Sequence, residues 1–150
     1  MTNFYEDIEK FNEMYGLPHP LAPSTSHLPL VARMKDFKRI ITEEVSEVDD
    51  IVAKAGVSEI DDLTALADWL GDMIVYCASE MRRFGLPVEQ VLHLIMQSNF
   101  SKLDENGKPI IRNGKVQKST LYWKPEPSIR QLLVAKLEST SGMERITGIS

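Results

Sequence analysis

The sequence predicts an all-α protein: an antiparallel four-helix-bundle-like core followed by a short irregular or hairpin C-terminal arm. Three observations carry this. Apolar residues recur at helical spacing over most of residues 4–98, as in Phe4, Ile8, Phe11 and Tyr15. Glycines at 16, 56 and 85 punctuate those runs where helices would end. The two Asn-Gly turn signals, Asn106-Gly107 and Asn113-Gly114, lie together beyond the last of these runs.

The first helix is expected after a Thr2 cap and before Gly16. Residues 17–29 hold Pro18, Pro20, Pro23 and Pro29 and are expected to be irregular. His19 and His27 fall in this loop as surface residues. Residues 30–55 read as one long helix closed by Gly56. An acidic link, residues 57–62, offers Asp61 or Asp62 as a cap. The next helix spans about 62 to 84, and so short a link makes the pair an antiparallel hairpin. Pro87 opens a fourth helix to about Ser98, with Val88, Val91, Leu92 and Ile95 on its apolar face and His93 off it. Asn99 falls on the apolar side at the helix end, where its amide should be buried and hydrogen-bonded. Ser128 is expected to cap a short helix through Leu137, ahead of a mobile tail. The chain is read as a single domain over 1–150: N-terminal helix and Pro-rich loop (1–29), central helices (30–99), basic arm (100–127), short helix and tail (128–150).

Composition narrows the function classes. At 43% hydrophobic and 26% charged the chain has ordinary globular proportions. No apolar run reaches the roughly 20 residues of a membrane span. The acidic start is unlike a signal peptide, and Cys77 as the single cysteine fits a reducing, cytoplasmic setting. A net charge of −5 argues against general nucleic-acid binding. Residues 1–98 hold 8 Lys/Arg against 17 Asp/Glu, whereas residues 99–150 hold 9 against 5. An acidic body with a basic arm suits a site with metal on one side and phosphate on the other.

The informative residues are acids on apolar helices. At about 100° per residue, Ile41, Val45, Val48 and Val52 form a stripe that Phe37, Ile40 and Ile51 widen. Glu44 falls inside that arc, Glu47 at its edge and Glu43 further out. From Leu63 to Ser79 the only charged residues are Asp68 and Asp72, one turn apart on a helix otherwise so apolar that it should be buried. Buried carboxylates need a neutraliser, and few cations lie within helical pairing distance in sequence. A hard divalent ion, Mg²⁺ or alternatively Mn²⁺, takes such oxygen ligands and commonly engages substrate phosphates. Gly71, beside the acids, leaves room for a metal, a ligand or a neighbouring helix. The chain lacks the Glu-x-x-His pairs of redox di-iron bundles.

Glu44-x-x-Glu47, the segment Asp68-Trp69-Leu70-Gly71-Asp72-Met73-Ile74-Val75-Tyr76 and Ser98-Asn99-Phe100-Ser101-Lys102-Leu103-Asp104, followed by Gly107-Lys108-Pro109 and Gly114-Lys115-Val116, come in a fixed order. Together they resemble the all-α nucleoside triphosphate pyrophosphohydrolase superfamily of MazG proteins, phosphoribosyl-ATP pyrophosphohydrolases and dimeric dUTPases. The resemblance covers roughly residues 4 to 127. It implies water attack at the α-phosphorus of a nucleotide, release of pyrophosphate, and a homodimer or homotetramer. By the motif match Glu44, Glu47 and Asp72 are metal ligands, and Asn99 and Lys102 contact the nucleotide. The family's second pair is ExxD, and its first acid falls here on Trp69; Asp68, one residue earlier, is the candidate to supply the missing oxygen. Glu43, next to the ligand pair, is the candidate to take a proton from water or to help hold a second ion. Trp69 also keeps a non-catalytic reading open: a helical dimerisation or binding module with interfacial acids.

Overall fold

The computed structural model describes residues 3–147. The fold is all-α and bundle-like: among these residues run six helices and one two-stranded hairpin. They form two compact units, one of residues 3–20 and 24–85, the other of 21–23 and 86–147.

In the first unit, α1 spans Phe4–Met14. Asn3 caps it, its Oδ1 accepting from the Glu6 N–H at 2.9 Å; Thr2, the expected cap, lies outside the described residues. Asn is as good a cap as Ser or Asp, and Glu6 and Asp7 complement the dipole in the first turn. Ile8 and Asn12, four apart on the inner face, are buried. Asn12 acts as a hub. Its Nδ2 donates to the Pro18 and Ser79 carbonyls at 3.1 and 3.2 Å, and its Oδ1 accepts from Ser79 Oγ at 2.6 Å.

The single helix expected over 30–55 is two helices, α2 (Leu30–Ser46) and α3 (Val48–Lys54), with Glu47 between them. Two hydrogen bonds to one carbonyl mark the break. The Glu47 N–H bonds back three residues to the Glu44 carbonyl at 3.2 Å, a tighter turn than the α-helix makes. The same carbonyl accepts from the indole Nε1 of Trp69 at 2.8 Å, and a side chain reaching into the ladder is a recognised cause of helix irregularity. α4 spans Glu59–Arg83. Ser58 caps it, accepting from the Asp61 N–H at 3.4 Å, in place of Asp61 or Asp62. Asp62 instead closes the α3–α4 turn by accepting from the Gly56 N–H at 3.0 Å. Contacts between α2 and α4 run Arg33 to Glu80 and Glu44 to Trp69, one number rising as the other falls, so the pair is antiparallel as expected.

Exposure corrects one expectation. The apolar character of α4 suggested a helix buried on most sides, yet Leu63, Leu66, Leu70 and Ile74 are 40–57% exposed, and Asp68 and Asp72 are exposed with them. The far end of α4 is buried instead, at Ala78, Ser79 and Arg82. Arg82 there donates to the Pro20 and His19 carbonyls and to Glu9, which fastens the proline-rich stretch. His19 and His27 are exposed.

In the second unit, α5 (Val88–Phe100) buries Val88 and Val91 and leaves His93 exposed. Asp104 Oδ1 accepts from the Asn106 and Lys108 N–H groups, both at 2.9 Å, and shapes the loop after α5. Strands β1 (Ile110–Arg112) and β2 (Lys115–Gln117) pair antiparallel, Ile111 opposite Val116. Asn113 and Gly114 take φ of 52° and 73°, the two positive values a type I′ hairpin turn requires. α6 spans Pro125–Thr147, well beyond the expected helix over 128–137. Ile129, Leu132, Leu133, Lys136 and Thr140 are half-buried at helical spacing. α5 and α6 pack on each other, and the half-buried run of α6 extends past Leu137 to Thr140.

Candidate functional site

Glu44 is the one buried acid among the described residues, 8% exposed on the inner side of α2. Its carboxyl is pushed above the usual range, first by burial and then by the negative fields of Glu47, Asp72 and Asp68. The fold therefore brings these four acids within each other's electrostatic reach. Among the described residues none of the four makes an ion pair or accepts a side-chain hydrogen bond from a donor group. Glu47, Asp68 and Asp72 are exposed, so the dry meeting point expected for them is dry only at Glu44. No three of the described His, Cys, Asp or Glu side chains converge closely enough to grip one ion as they stand.

Two elements position the set. Trp69 donates to the Glu44 backbone and so holds α4 against α2 between Asp68 and Asp72. Trp69 is thus the bolt of this cluster. Gly71 faces open space: a Cβ there would meet nothing within 4 Å, so no neighbouring helix requires it to be glycine. Glu43 lies outside the cluster, exposed and 3.4 Å from Arg39 one turn away. Asn99 and Lys102 belong to the second unit and are brought together there, with Lys102 Nζ donating to Asn99 Oδ1 at 2.9 Å. Asn99 is exposed, against the expectation that its amide is buried. The reason is its position at the last turn of α5, where Ser98 instead points inward and bonds to the Trp123 carbonyl at 2.9 Å. Lys102 and Lys118 both stand over the Tyr122 ring, 5.9 and 4.9 Å from its centre.

Beside the acids opens a cavity of about 330 Å³, walled by Phe11, Phe37, Ile40, Val75 and Tyr76 and reaching Asp72. It also reaches Arg33, Glu80 and Arg83, which the sequence reading missed. Arg33 Nε and Nη2 donate to the two oxygens of Glu80 at 2.8 and 2.6 Å, and Arg83 Nε lies 3.5 Å from Glu80 Oε1. The partners sit 47 residues apart, beyond any helical spacing rule. A signal existed all the same: Glu80 is the one acid of α4 after Asp72, just ahead of two arginines.

The chain matches no family model and no curated protein. Its chemistry is read from the residues themselves: four carboxylates with no ion-pair partner among the described residues, and beside them a space lined with rings.

Proposed function

We propose that the protein is a cytoplasmic, Mg²⁺-dependent nucleoside triphosphate pyrophosphohydrolase acting as a homodimer or homotetramer. One observation carries the reading: buried Glu44 is held beside three further carboxylates, and no cation pairs with any of them among the described residues. Such a cluster is strained in the ionised state and relaxed by a hard divalent ion. Glu44, Glu47 and Asp72 would hold Mg²⁺ (or Mn²⁺), with Asp68 supplying the oxygen for which the family pattern has an acid at position 69. The exposed members, free of competing bonds, would close on Glu44. When bound, the ion neutralises phosphate oxygens and makes the α-phosphorus easier to attack.

The chain's own groups do the rest. Glu43 would accept a proton from the attacking water after leaving Arg39, and an exposed i,i+4 pair of this kind is worth at most about 0.5 kcal/mol. A new P–O bond forms at the α-phosphorus and the bond to the bridging oxygen breaks. The products are a nucleoside monophosphate and pyrophosphate. Asn99 and Lys102 would contact the nucleotide, the lysine as a point charge toward phosphate. The test is direct. Full-length protein incubated with each common NTP and dNTP should release pyrophosphate with Mg²⁺ and none with a chelator. Release from no nucleotide, together with a melting temperature indifferent to Mg²⁺, overturns the reading.

A second reading has its own observation. Leu63, Leu66, Leu70 and Ile74 form an exposed stripe at coiled-coil-like spacing along α4. On a non-catalytic module this stripe would be the whole function; on the hydrolase it would be the subunit interface. Self-association without pyrophosphate release favours the module.

A further inference from the structure

The cavity next to Asp72 has a chemistry of its own. Phe11, Phe37 and Tyr76 give it ring faces, which suits a flat aromatic ligand. Its volume, about 330 Å³, lies at the low end of the roughly 300–1,000 Å³ of small-molecule sites. That admits a base and its sugar and leaves phosphates outside. Asp72 and Glu80 line the same cavity from one helix, eight residues and therefore about 12 Å apart along its axis. This is the spread between the phosphate end of a nucleotide and the far edge of its base.

At the Glu80 position the charges do not cancel. One carboxylate faces two guanidinium groups, Arg33 through two short bonds and Arg83 through Nε alone. The carboxylate of Asp36, on the exposed side of α2, also favours the charge of Arg33. Arg83 is the unbalanced partner: burial and the neighbouring Arg33 both disfavour its charge, and Glu80 alone favours it. Its backbone is pinned as well, since its carbonyl pairs with His27 Nε2 at 2.8 Å. With Nε turned to Glu80, its two terminal nitrogens remain as a donor fork. Such a fork matches two adjacent acceptors in one plane. Guanine offers O6 and N7 in that arrangement, and cytosine offers O2 and N3. Adenine offers no such pair, because its N7 stands beside an amino donor.

We propose that this cavity receives the base and sugar of the substrate, and that Arg83, held by Glu80, selects guanine and cytosine nucleosides over adenosine by donating to paired acceptors on the base edge. The assignment rests on the hydrolase reading for its phosphate end. Arg83 is a specificity-determining residue here and takes no part in the bond-breaking step.

Nucleosides lacking phosphate separate the two ideas, because their binding needs neither metal nor turnover. Guanosine, cytidine and adenosine are titrated by calorimetry into the full chain without Mg²⁺. Guanosine and cytidine should each bind at least tenfold more tightly than adenosine. Arg83→Met should reduce both to the level of adenosine, and Arg83→Lys, a point charge without a fork, should not restore the preference. Equal affinity for the three nucleosides, no measurable binding of any, or a preference that survives Arg83→Met overturns the inference. The wild-type comparison decides even if a variant does not fold. Pyrophosphate release without base preference sinks this inference and leaves the hydrolase standing. Base preference without release does the reverse.

Discussion

The same two helices, α2 and α4, carry two charged clusters treated in opposite ways. Toward the C-terminal end of α4, Glu80 is clasped by Arg33 and Arg83, all with side chains 13–18% exposed. Near the middle, Glu44 is as hidden, but what surrounds it is three more acids. At the first cluster the acid is matched at hydrogen-bonding distance by Arg33, with Arg83 as a second cation beside it. At the second the charge is left open. A half-buried pair persists because its bonds offset desolvation, whereas an unmatched buried acid with a raised proton affinity marks a candidate functional site. The contrast sorts a fastening from a site without any knowledge of a ligand.

The sharpest way to break this contrast is to neutralise one acid of the open cluster. Asp72→Asn should lower pyrophosphate release by more than the roughly 10–100-fold typical of outer-shell changes around a metal. Its circular dichroism and urea midpoint should match the wild type. A variant that turns over normally, or one that unfolds, places Asp72 in the structural class instead. The opposite result is expected at the fastened end. Glu80→Ala strands two guanidinium groups and should cost about 3 kcal/mol in urea denaturation.

The next test is pH. A carboxyl whose proton is held more tightly in the folded chain than in the unfolded one opposes folding once the unfolded chain ionises. Stability due to Glu44 is therefore present below the ordinary carboxylate range and lost as pH rises through it toward the raised folded value. Measured in chelator, the gap in melting temperature between Glu44→Gln and wild type should widen in favour of the variant between pH 4 and pH 7. Added Mg²⁺ should reverse the gap. A constant gap would show that Glu44 feels no excess negative field. Trp69→Phe keeps an aromatic side chain, though a smaller one, and removes one hydrogen bond, for an expected loss of at least about 1 kcal/mol by the same urea method. Arg39→Ala, at an exposed pair, should change stability by no more than about 0.5 kcal/mol.

Much of this was legible in the sequence because it is written in short-range periodicity. The inward turn of Glu44 follows from its place in the apolar arc of α2. The hairpin at Asn113-Gly114 follows from the backbone those two residues prefer. What was not legible depends on partners far apart in the chain. Glu47 interrupts the long helix where an indole 22 residues further on reaches the carbonyl of Glu44. The clasp of Arg33 on Glu80 has the same origin. The apolar runs of α4 misled in another way, since such residues suit an oligomer's interface as well as a monomer's core. α6 outran its expected end because its packing partner, α5, is invisible to local propensity.

One wholly enclosed side chain has a consequence in time. Asn12 spends both of its amide protons on main-chain oxygens and takes a hydroxyl proton in return. Spontaneous loss of ammonia at that position would leave an anion pressed against the oxygens it once served. The enclosure that makes such a loss costly also holds the amide rigid and away from water, which slows it.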